Sequence, residues 1–174
     1  MRRLRLVTRV GLFAALVYVL SWASSALPNI TPAFFVTFAA GYLWGALPGV
    51  LVGAIGMALW TVFNPYGPAA LPIALAQVIG LALNGPTGAL FRRRDFITGG
   101  KTRRFTAAAV AGLLCTLFFY LPVNVTDAWL FQPFWPRFWV STAASGISAL
   151  FNLIVFPLLF PAVEYLYARE SLRP

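Results

Sequence analysis

The segment AFFVTFAAGYLWGALPGVLVGAIGMALWTVF, residues 33–63, carries no charged side chain and decides the class of the protein. It lies within a longer run, residues 10–91, that contains no Asp, Glu, Lys, Arg or His; residues 105–126 and 138–163 also lack them. A membrane-spanning helix needs about 20 predominantly apolar residues. These runs therefore predict an all-α, polytopic membrane protein, and they exclude a soluble enzyme, a disulfide scaffold and a disordered chain.

The composition agrees with a membrane-embedded chain. Hydrophobic residues make up 60% of the 174 residues, charged residues 10%, and the mean hydropathy is +0.82, whereas a soluble domain carries about 25% charged residues. The first apolar run continues past Ser24–Ala26, so we expect a membrane helix there and no cleaved signal peptide. The whole chain, residues 1–174, is expected to form a single transmembrane domain.

Turn-forming residues divide the charge-free run into segments. Breaks are expected at Ser24–Pro32, Gly45–Gly49 and Asn64–Pro68, and a basic loop follows at residues 92–104. The sequence thus predicts a six-transmembrane-helix bundle, with spans over roughly residues 7–26, 33–47, 49–63, 70–91, 105–122 and 138–166. The second and third segments are short, so whether they fully cross the membrane stays open.

The formal net charge of +9 comes from basic residues that flank the apolar segments. All but Arg137 lie in three clusters: Arg2, Arg3, Arg5 and Arg9; Arg92, Arg93, Arg94, Lys101, Arg103 and Arg104; Arg169 and Arg173. Six spans place the three clusters on one face, which the positive-inside rule assigns to the cytoplasm. We therefore expect cytoplasmic N- and C-termini in a multi-pass protein of the cytoplasmic membrane. The basic runs are short and no nucleic-acid-binding module accompanies them, so no nucleic-acid partner is expected.

Glycines recur every four residues through the second and third segments, at Gly41, Gly45, Gly49 and Gly53. This spacing of small residues lets helix backbones approach closely in lipid, and internal packing is the expected role. Pro48 interrupts the series, so it cannot form one straight helix.

Polar residues inside the apolar segments fall on helical stripes. In the sixth segment the positions i, i+4, i+7 and i+11 are Ser141, Ser145, Ser148 and Asn152. In the fourth segment, Gln77 and Asn84 are seven residues apart and share a face. Because an unpaired polar group is costly in hydrocarbon, both stripes are expected to face the bundle interior. For the serines we favour hydrogen bonds between helices; for Asn and Gln, helix contact and ligand binding remain equally open.

The predicted outer loops carry further candidates for ligand contact: Asn29, Thr31, Trp60, Asn64, Tyr66, Asn124 and Asp127. Aromatic surfaces with a few amides suit a planar or amphipathic small molecule. Asp127 is the one acid and Arg137 the one base on the predicted outer face. A simple ion pair between them is the alternative to a ligand role.

Groups for catalysis or metal binding are scarce. The sequence has no His, which excludes His-ligated metals and Ser-His or Cys-His nucleophile pairs. Gly99–Thr102 lacks the first glycine and the preceding strand of a phosphate-binding loop. No carboxylate lies within the first five segments, which argues against a proton-coupled carrier. We therefore predict no enzyme activity, no catalytic residue, no metal, no cofactor and no energy source within the chain.

Three stretches point to a known family. Leu27–Pro32 is a proline-flanked loop after the first segment, Gly41–Gly53 is a glycine-rich series, and Asn64–Pro68 precedes Pro72 and Gln77. Together they resemble the first loop, the second and third helices, and the "N-x-x-G-x-G-P … P-x-Q" region of the substrate-binding S components of energy-coupling factor (ECF) vitamin transporters. The resemblance covers the first half of the chain, and beyond residue 105 it rests on topology.

The resemblance implies a high-affinity membrane subunit that binds a vitamin or related micronutrient for uptake. Such subunits join a transmembrane coupling subunit and two ATP-binding-cassette (ABC) ATPases, which supply the energy. The family's coupling motif, Ala-xxx-Ala on the first helix, corresponds here to Gly11-xxx-Ala15. Its substrate residues come from the first loop and the outer parts of helices four to six. With the neighbouring aromatic and amide residues, the candidate site is Asn29, Thr31, Trp60, Asn64, Tyr66, Gln77, Asn84, Asn124, Asp127 and Asn152.

A membrane scaffold of the rod-shape morphogenesis type, with a similar size and helical arrangement, is the alternative. A scaffold would act through protein–protein contact without a small ligand. Replacing Asn29 and Gln77 would then change no ligand affinity. If a ligand is bound, the aromatic and amide candidates favour a larger or planar vitamin-like compound.

Overall fold

The computed structural model describes residues 2–27, 29–93 and 100–171, and these form α-helices and no strand. The helices are α1 (Arg2–Ala23), α2 (Ala33–Trp44), α3 (Ala46–Phe63), α4 (Leu71–Ala82), α5 (Asn84–Arg93), α6 (Lys101–Leu130) and α7 (Phe134–Ser171). The predicted all-α class is confirmed. Pro28, Arg94 and Arg173 lie outside the described residues, as do the side chains of Arg2, Arg3 and Arg93.

Within the described ranges, five helical stretches are long and apolar enough to cross a membrane, and α2 is a shorter apolar helix. The two helices α4 and α5 count as one span, Leu71–Arg92, interrupted at Leu83. The interruption has a local cause. Pro86 has no N–H for the carbonyl of Ala82, and its ring crowds that carbonyl. The six-helix membrane bundle predicted from the sequence is confirmed.

Helix α2 lies at the centre of the bundle. It packs against each of the other six helices, and the residues from Ala33 to Leu43 are all buried. Its 12 residues span about 18 Å, which is less than the roughly 30 Å of a bilayer core. The other helices surround α2 and shield its backbone and side chains from lipid. A helix too short to cross the bilayer is therefore stable at this position.

Glycines make the centre of the bundle dense at the level of the backbone. A Cβ atom on Gly41 would lie 1.9 Å from the carbonyl oxygen of Gly85, and one on Gly49 would lie 2.5 Å from the Cα of Gly85. A Cβ on Gly88 would lie 2.0 Å from the oxygen of Phe38. The expected packing role of the glycine series is therefore confirmed, with α5 as the partner of both α2 and α3.

The break between α2 and α3 falls at Gly45. Its φ angle of +103° belongs to the region that favours glycine, and its N–H donates to the carbonyl of Gly41 at 2.9 Å. Pro48 lies in the first turn of α3, where a missing N–H is tolerated. The two helices thus form a hairpin and not one straight helix, as expected, but the turn is at Gly45 and not at Pro48.

The last two helices are longer than the predicted spans. Helix α6 continues to Leu130, and only residues 131–133 separate it from α7. The aromatic stretch predicted as an outer loop is therefore mostly helical. Side chains near the end of α6 bond to the start of α7, notably Asn124 to Ser145 and Asp127 to Arg137. These contacts satisfy polar groups that a free loop would expose.

Basic residues from three helices, α1, α5 and α6, gather at one end of the bundle. Arg9 of α1 pairs with Glu170 of α7, and Arg104 of α6 lies 3.4 Å from Glu164. Arg92 of α5 donates to the carbonyl of Leu43 at 3.1 Å. We call this the basic end; the ends of the helices that lie away from it form the opposite end.

Candidate functional site

A cavity of about 570 Å³ opens at the end of the bundle opposite the basic end. Its walls come from the end of α1 and the following loop, and from α2, α3, α4, α6 and α7. Its volume falls within the range of small-molecule sites. The glycine-packed centre lies beneath it, so α2 and α3, whose backbones touch in the centre, diverge here.

Aromatic rings form a large part of the lining. Phe34 of α2 packs against Phe119 and Tyr120 of α6, with ring centroids 4.8 and 5.9 Å apart. Trp60 of α3 and Tyr66 of the following loop also line the cavity. The Tyr66 hydroxyl donates to the carbonyl of Ser25, which ties that loop to the end of α1. Such rings offer flat apolar surface to a planar ligand.

Asn29 fixes the first loop over the cavity. It adopts a left-handed conformation with φ of 60°, which Asn tolerates better than most residues. Its Nδ2 donates to the carbonyl of Ala144 at 3.3 Å, and its Oδ1 accepts from the Tyr120 hydroxyl at 3.2 Å. Its own carbonyl accepts from Ser148. The side chain therefore lines the cavity and at the same time joins the loop to α6 and α7.

Hydrogen bonds between α6 and α7 form the polar wall. Asn124 Nδ2 donates to Ser145 Oγ at 3.0 Å, and the hydroxyls of Tyr120 and Ser148 are 2.8 Å apart. The helix-to-helix bonding expected for the serine stripe is confirmed at Ser145 and Ser148. Ser141 and Ser145 also line the cavity, so the same stripe serves both contacts.

Asp127 and Arg137 form the ion pair that the sequence left as an alternative. Arg137 Nε and Nη2 donate to Asp127 Oδ2 and Oδ1 at 2.6 and 3.0 Å. Asp127 lines the cavity, whereas Arg137 does not. Pairing and a position in the cavity wall are therefore compatible for Asp127.

Gln77 differs from its neighbours because part of its amide has no partner. Its Oε1 atom is buried and accepts no hydrogen bond from the described residues, and the residue lines the cavity. An unpaired buried acceptor carries a free-energy cost of about 1–3 kcal/mol. A turn of the side chain that brought this atom to a ligand donor in the cavity would remove that cost.

Thr31 and Asn64 support the local backbone. Thr31 lines the cavity, and its Oγ1 accepts from the N–H of Ala33 at the start of α2 at 3.2 Å. Asn64 does not line the cavity. Its Nδ2 donates to the carbonyl of Gly67 at 2.8 Å, and its Oδ1 accepts from the Tyr66 N–H at 2.9 Å. Asn64 thus shapes the turn that carries Tyr66.

Two further candidate residues lie away from the cavity. Asn84 is fully buried at the start of α5, and neither of its amide atoms has a partner among the described residues. Asn152 is buried between helices and donates to Thr116 Oγ1 at 2.9 Å. Gln77 lines the cavity and Asn84 does not; the two residues lie in different helices, α4 and α5, on either side of the interruption at Leu83.

Seven of the ten candidates meet at this cavity: Asn29, Thr31, Trp60, Tyr66, Gln77, Asn124 and Asp127. Other residues that line the cavity were not predicted from the sequence: Phe34, Phe119, Tyr120, and Ser21, Ser24 and Ser25 at and after the end of α1. A signal for Tyr120 was present, since Thr116, Tyr120, Asn124 and Asp127 lie at i, i+4, i+8 and i+11 on one helical face. For Phe34 and Phe119, nothing distinguishes lining residues from the many other apolar ones.

The two candidate coupling positions lie far from the cavity, toward the basic end of α1. Gly11 and Ala15 are both exposed, and a Cβ on Gly11 would have no atom within 4 Å. Their neighbours Leu12 and Leu16 are also exposed, at 66% and 40%. This face of α1 is therefore free of contact with the rest of the described chain.

The chemistry of the site is that of binding. Among the described residues, no group of three or more His, Cys, Asp or Glu side chains could hold a metal ion. The cavity combines aromatic rings, amides and hydroxyls, which recognise a ligand by shape and hydrogen bonds.

Comparison with known families supplies an independent result. Residues 2–165 match the family model described as "ECF-type riboflavin transporter, S component". No curated protein and no solved structure matches the chain.

Proposed function

The chain belongs to the ECF-type riboflavin transporter S component family, and on this premise we propose that it binds riboflavin with high affinity for uptake. S components are the substrate-binding subunits of vitamin and micronutrient transporters and are not enzymes. The membrane-embedded helical bundle described above is consistent with that class. The rod-shape morphogenesis alternative gains no support from the comparisons.

The observation that carries the choice of ligand is the aromatic cavity of about 570 Å³. Riboflavin has a planar tricyclic ring with polar edges and a flexible chain of hydroxyl groups. Trp60, Tyr66 and the Phe34–Phe119–Tyr120 group provide flat surfaces for the ring. Amides and hydroxyls around them match the ring edges and the chain, and Gln77, whose buried Oε1 has no partner among the described residues, is one of the lining amides.

The direction of uptake follows from charge. Arg9, Arg92 and Arg104 meet at the end opposite the cavity, and the positive-inside rule assigns basic ends to the cytoplasm. On this orientation the cavity faces the outside of the cytoplasmic membrane, where the substrate is captured.

Energy for uptake is proposed to come from partners: a transmembrane coupling subunit and two ABC ATPases. The exposed face of α1 around Gly11 and Ala15 is the proposed contact for the coupling subunit. The small side chains of Gly11 and Ala15 allow another helix to approach closely in lipid.

Ligand binding is tested on the purified protein in detergent with a panel of vitamins. At a hundredfold excess over its Kd, a bound ligand stabilises the folded state by about 2.7 kcal/mol. We expect riboflavin to raise the Tm, and we expect its fluorescence to be quenched when it is titrated with the protein. Thiamine and biotin are the controls and should leave the Tm unchanged. A protein that responds to another vitamin and not to riboflavin would contradict the proposed ligand.

The partner proposal has a separate test. Affinity-tagged protein expressed with its transporter subunits should co-purify with the coupling subunit and ATPases, and Gly11→Trp should abolish co-purification and uptake while riboflavin affinity is retained. The matched control, Gly146→Trp, alters a glycine of α7 that likewise has no neighbour within 4 Å of its Cβ position. Equal loss of partners in both variants would argue against a contact at Gly11.

A further inference from the structure

Charge is distributed unevenly around the cavity. Of the described residues that line it, Asp127 is the only one with an ionisable acid or base side chain apart from the tyrosines, and the others are apolar, amide or hydroxyl residues. The nearest base, Arg137, belongs to the same ion pair but not to the lining. A ligand in the cavity would therefore meet the carboxylate side of the pair.

The geometry keeps Arg137 turned away from the cavity. Two nitrogens of its guanidinium group are engaged by the two oxygens of Asp127, and the group also lies over the Phe131 ring at 4.7 Å from its centroid. The Arg137 side chain is 44% exposed, whereas that of Asp127 is 20% exposed. On the cavity side, Ser141 Oγ is 3.5 Å from Asp127 Oδ2.

We propose that the Asp127–Arg137 pair selects ligands by charge: the cavity accepts the uncharged vitamin and rejects its phosphorylated form. This inference rests on the proposed function and adds the residue that sets the specificity. A phosphate group entering the cavity loses water and meets no free base among the described lining residues, while the carboxylate repels it. A neutral chain of hydroxyls meets the same carboxylate as a hydrogen-bond acceptor.

The pair also predicts opposite effects for its two members. Asp127→Asn keeps an acceptor oxygen in the wall, removes the negative charge and releases the guanidinium group of Arg137 to attract a phosphate. Arg137→Gln leaves the carboxylate without its partner, so repulsion of an anion increases. If the pair only held α6 and α7 together, either variant would lower the affinity for both ligands by the same factor.

The test is a titration of the purified full-length protein with riboflavin and with riboflavin 5′-phosphate. The result is the selectivity ratio, which is the Kd for riboflavin 5′-phosphate divided by the Kd for riboflavin. For the wild type we expect riboflavin to bind at least about tenfold more tightly. In Asp127→Asn the ratio should fall by about tenfold, and in Arg137→Gln it should rise. Glu164→Gln is the matched control, since it removes one acid that pairs with an arginine at the basic end, and it should leave the ratio unchanged.

Each outcome bears on a separate claim. A wild type that binds both flavins equally, or variants of both pair members that leave the ratio unchanged, would overturn charge selection while the proposed function stands. A wild type that binds neither flavin would overturn the proposed function and this inference with it. If Asp127→Asn does not yield folded protein, a rise of the ratio in Arg137→Gln supports the proposal, and an unchanged ratio there overturns it.

Discussion

Helices α2 and α3 serve the two halves of this bundle in opposite ways. Around Gly41, Gly49, Gly85 and Gly88 the backbones touch, and an added methyl group would lie 1.9–2.5 Å from its nearest backbone atom. At the opposite end α2 and α3, together with α1, α4, α6 and α7, leave a cavity of about 570 Å³ lined by aromatic and polar side chains. Lipid provides no hydrophobic driving force between helices, so close packing must hold the bundle together. The dense half therefore fixes the helices, and the open half is free to be shaped for a ligand.

The largest expected effect comes from filling the dense half. In Gly85→Ala the new Cβ would lie 2.3 Å from the carbonyl carbon of Gly49, so α3 and α5 must separate, at a cost of about 3 kcal/mol in the free energy of unfolding. Thermal unfolding in detergent measures the change. The control Gly146→Ala meets no neighbouring atom and should be neutral or slightly stabilising. Equal Tm values for the two variants would contradict the claim that the centre is close-packed.

The next effect concerns the open half. Trp60→Ala removes an aromatic wall of the cavity and the packing of that ring against the apolar core. We expect riboflavin affinity to fall by about 30-fold, or about 2 kcal/mol, and the Tm of the ligand-free protein to fall as well. Fluorescence titration measures the affinity. Trp139→Ala, at a residue of α7 that is 61% exposed, serves as the control and should bind as the wild type does.

A third prediction compares unpaired amides in the two halves. Gln77→Met removes the unpaired acceptor of the cavity, and Asn84→Ala removes the unpaired amide at the start of α5. The first should lower riboflavin affinity by about tenfold without lowering the Tm of the ligand-free protein, because a buried group without a partner is itself costly. The second should leave the affinity as it is. An affinity loss of similar size in Asn84→Ala would mean that the two halves are coupled.

The smallest effect is expected at the hydrogen bonds that hold the first loop. Tyr120→Phe keeps the ring but removes the bonds to Asn29 and Ser148, at a cost of about 1 kcal/mol. The loop should open more readily, which speeds riboflavin dissociation in stopped-flow measurements. An unchanged dissociation rate would show that the loop does not control release. Tyr66→Phe, which loses only the bond to the carbonyl of Ser25, tests whether any loosening near the loop has the same effect.

The polar residues of the site could be predicted from the sequence, and the apolar ones could not. Asn29, Gln77, Asn124 and Asp127 stand out in an apolar sequence because a buried polar group needs a reason, and all four line the cavity. Asn84 and Asn152 stand out equally but lie elsewhere. Helical spacing predicts which face of a helix a residue lies on, but it does not predict which other helices that face contacts. Phe34 and Phe119 could not be found, because an apolar residue in a membrane helix is the norm.

The sequence by itself determined the membrane class, the number of helical segments and the gathering of basic residues at one end. Hydrocarbon excludes charge and demands internally bonded backbone, so these properties depend only on composition along the chain. Tertiary structure alone decided that α2 lies at the centre of the bundle, in contact with all six other helices. It also decided that Asp127 faces the cavity with Arg137 behind it. Those properties depend on which helices meet and how closely, which is set by packing between residues distant in sequence.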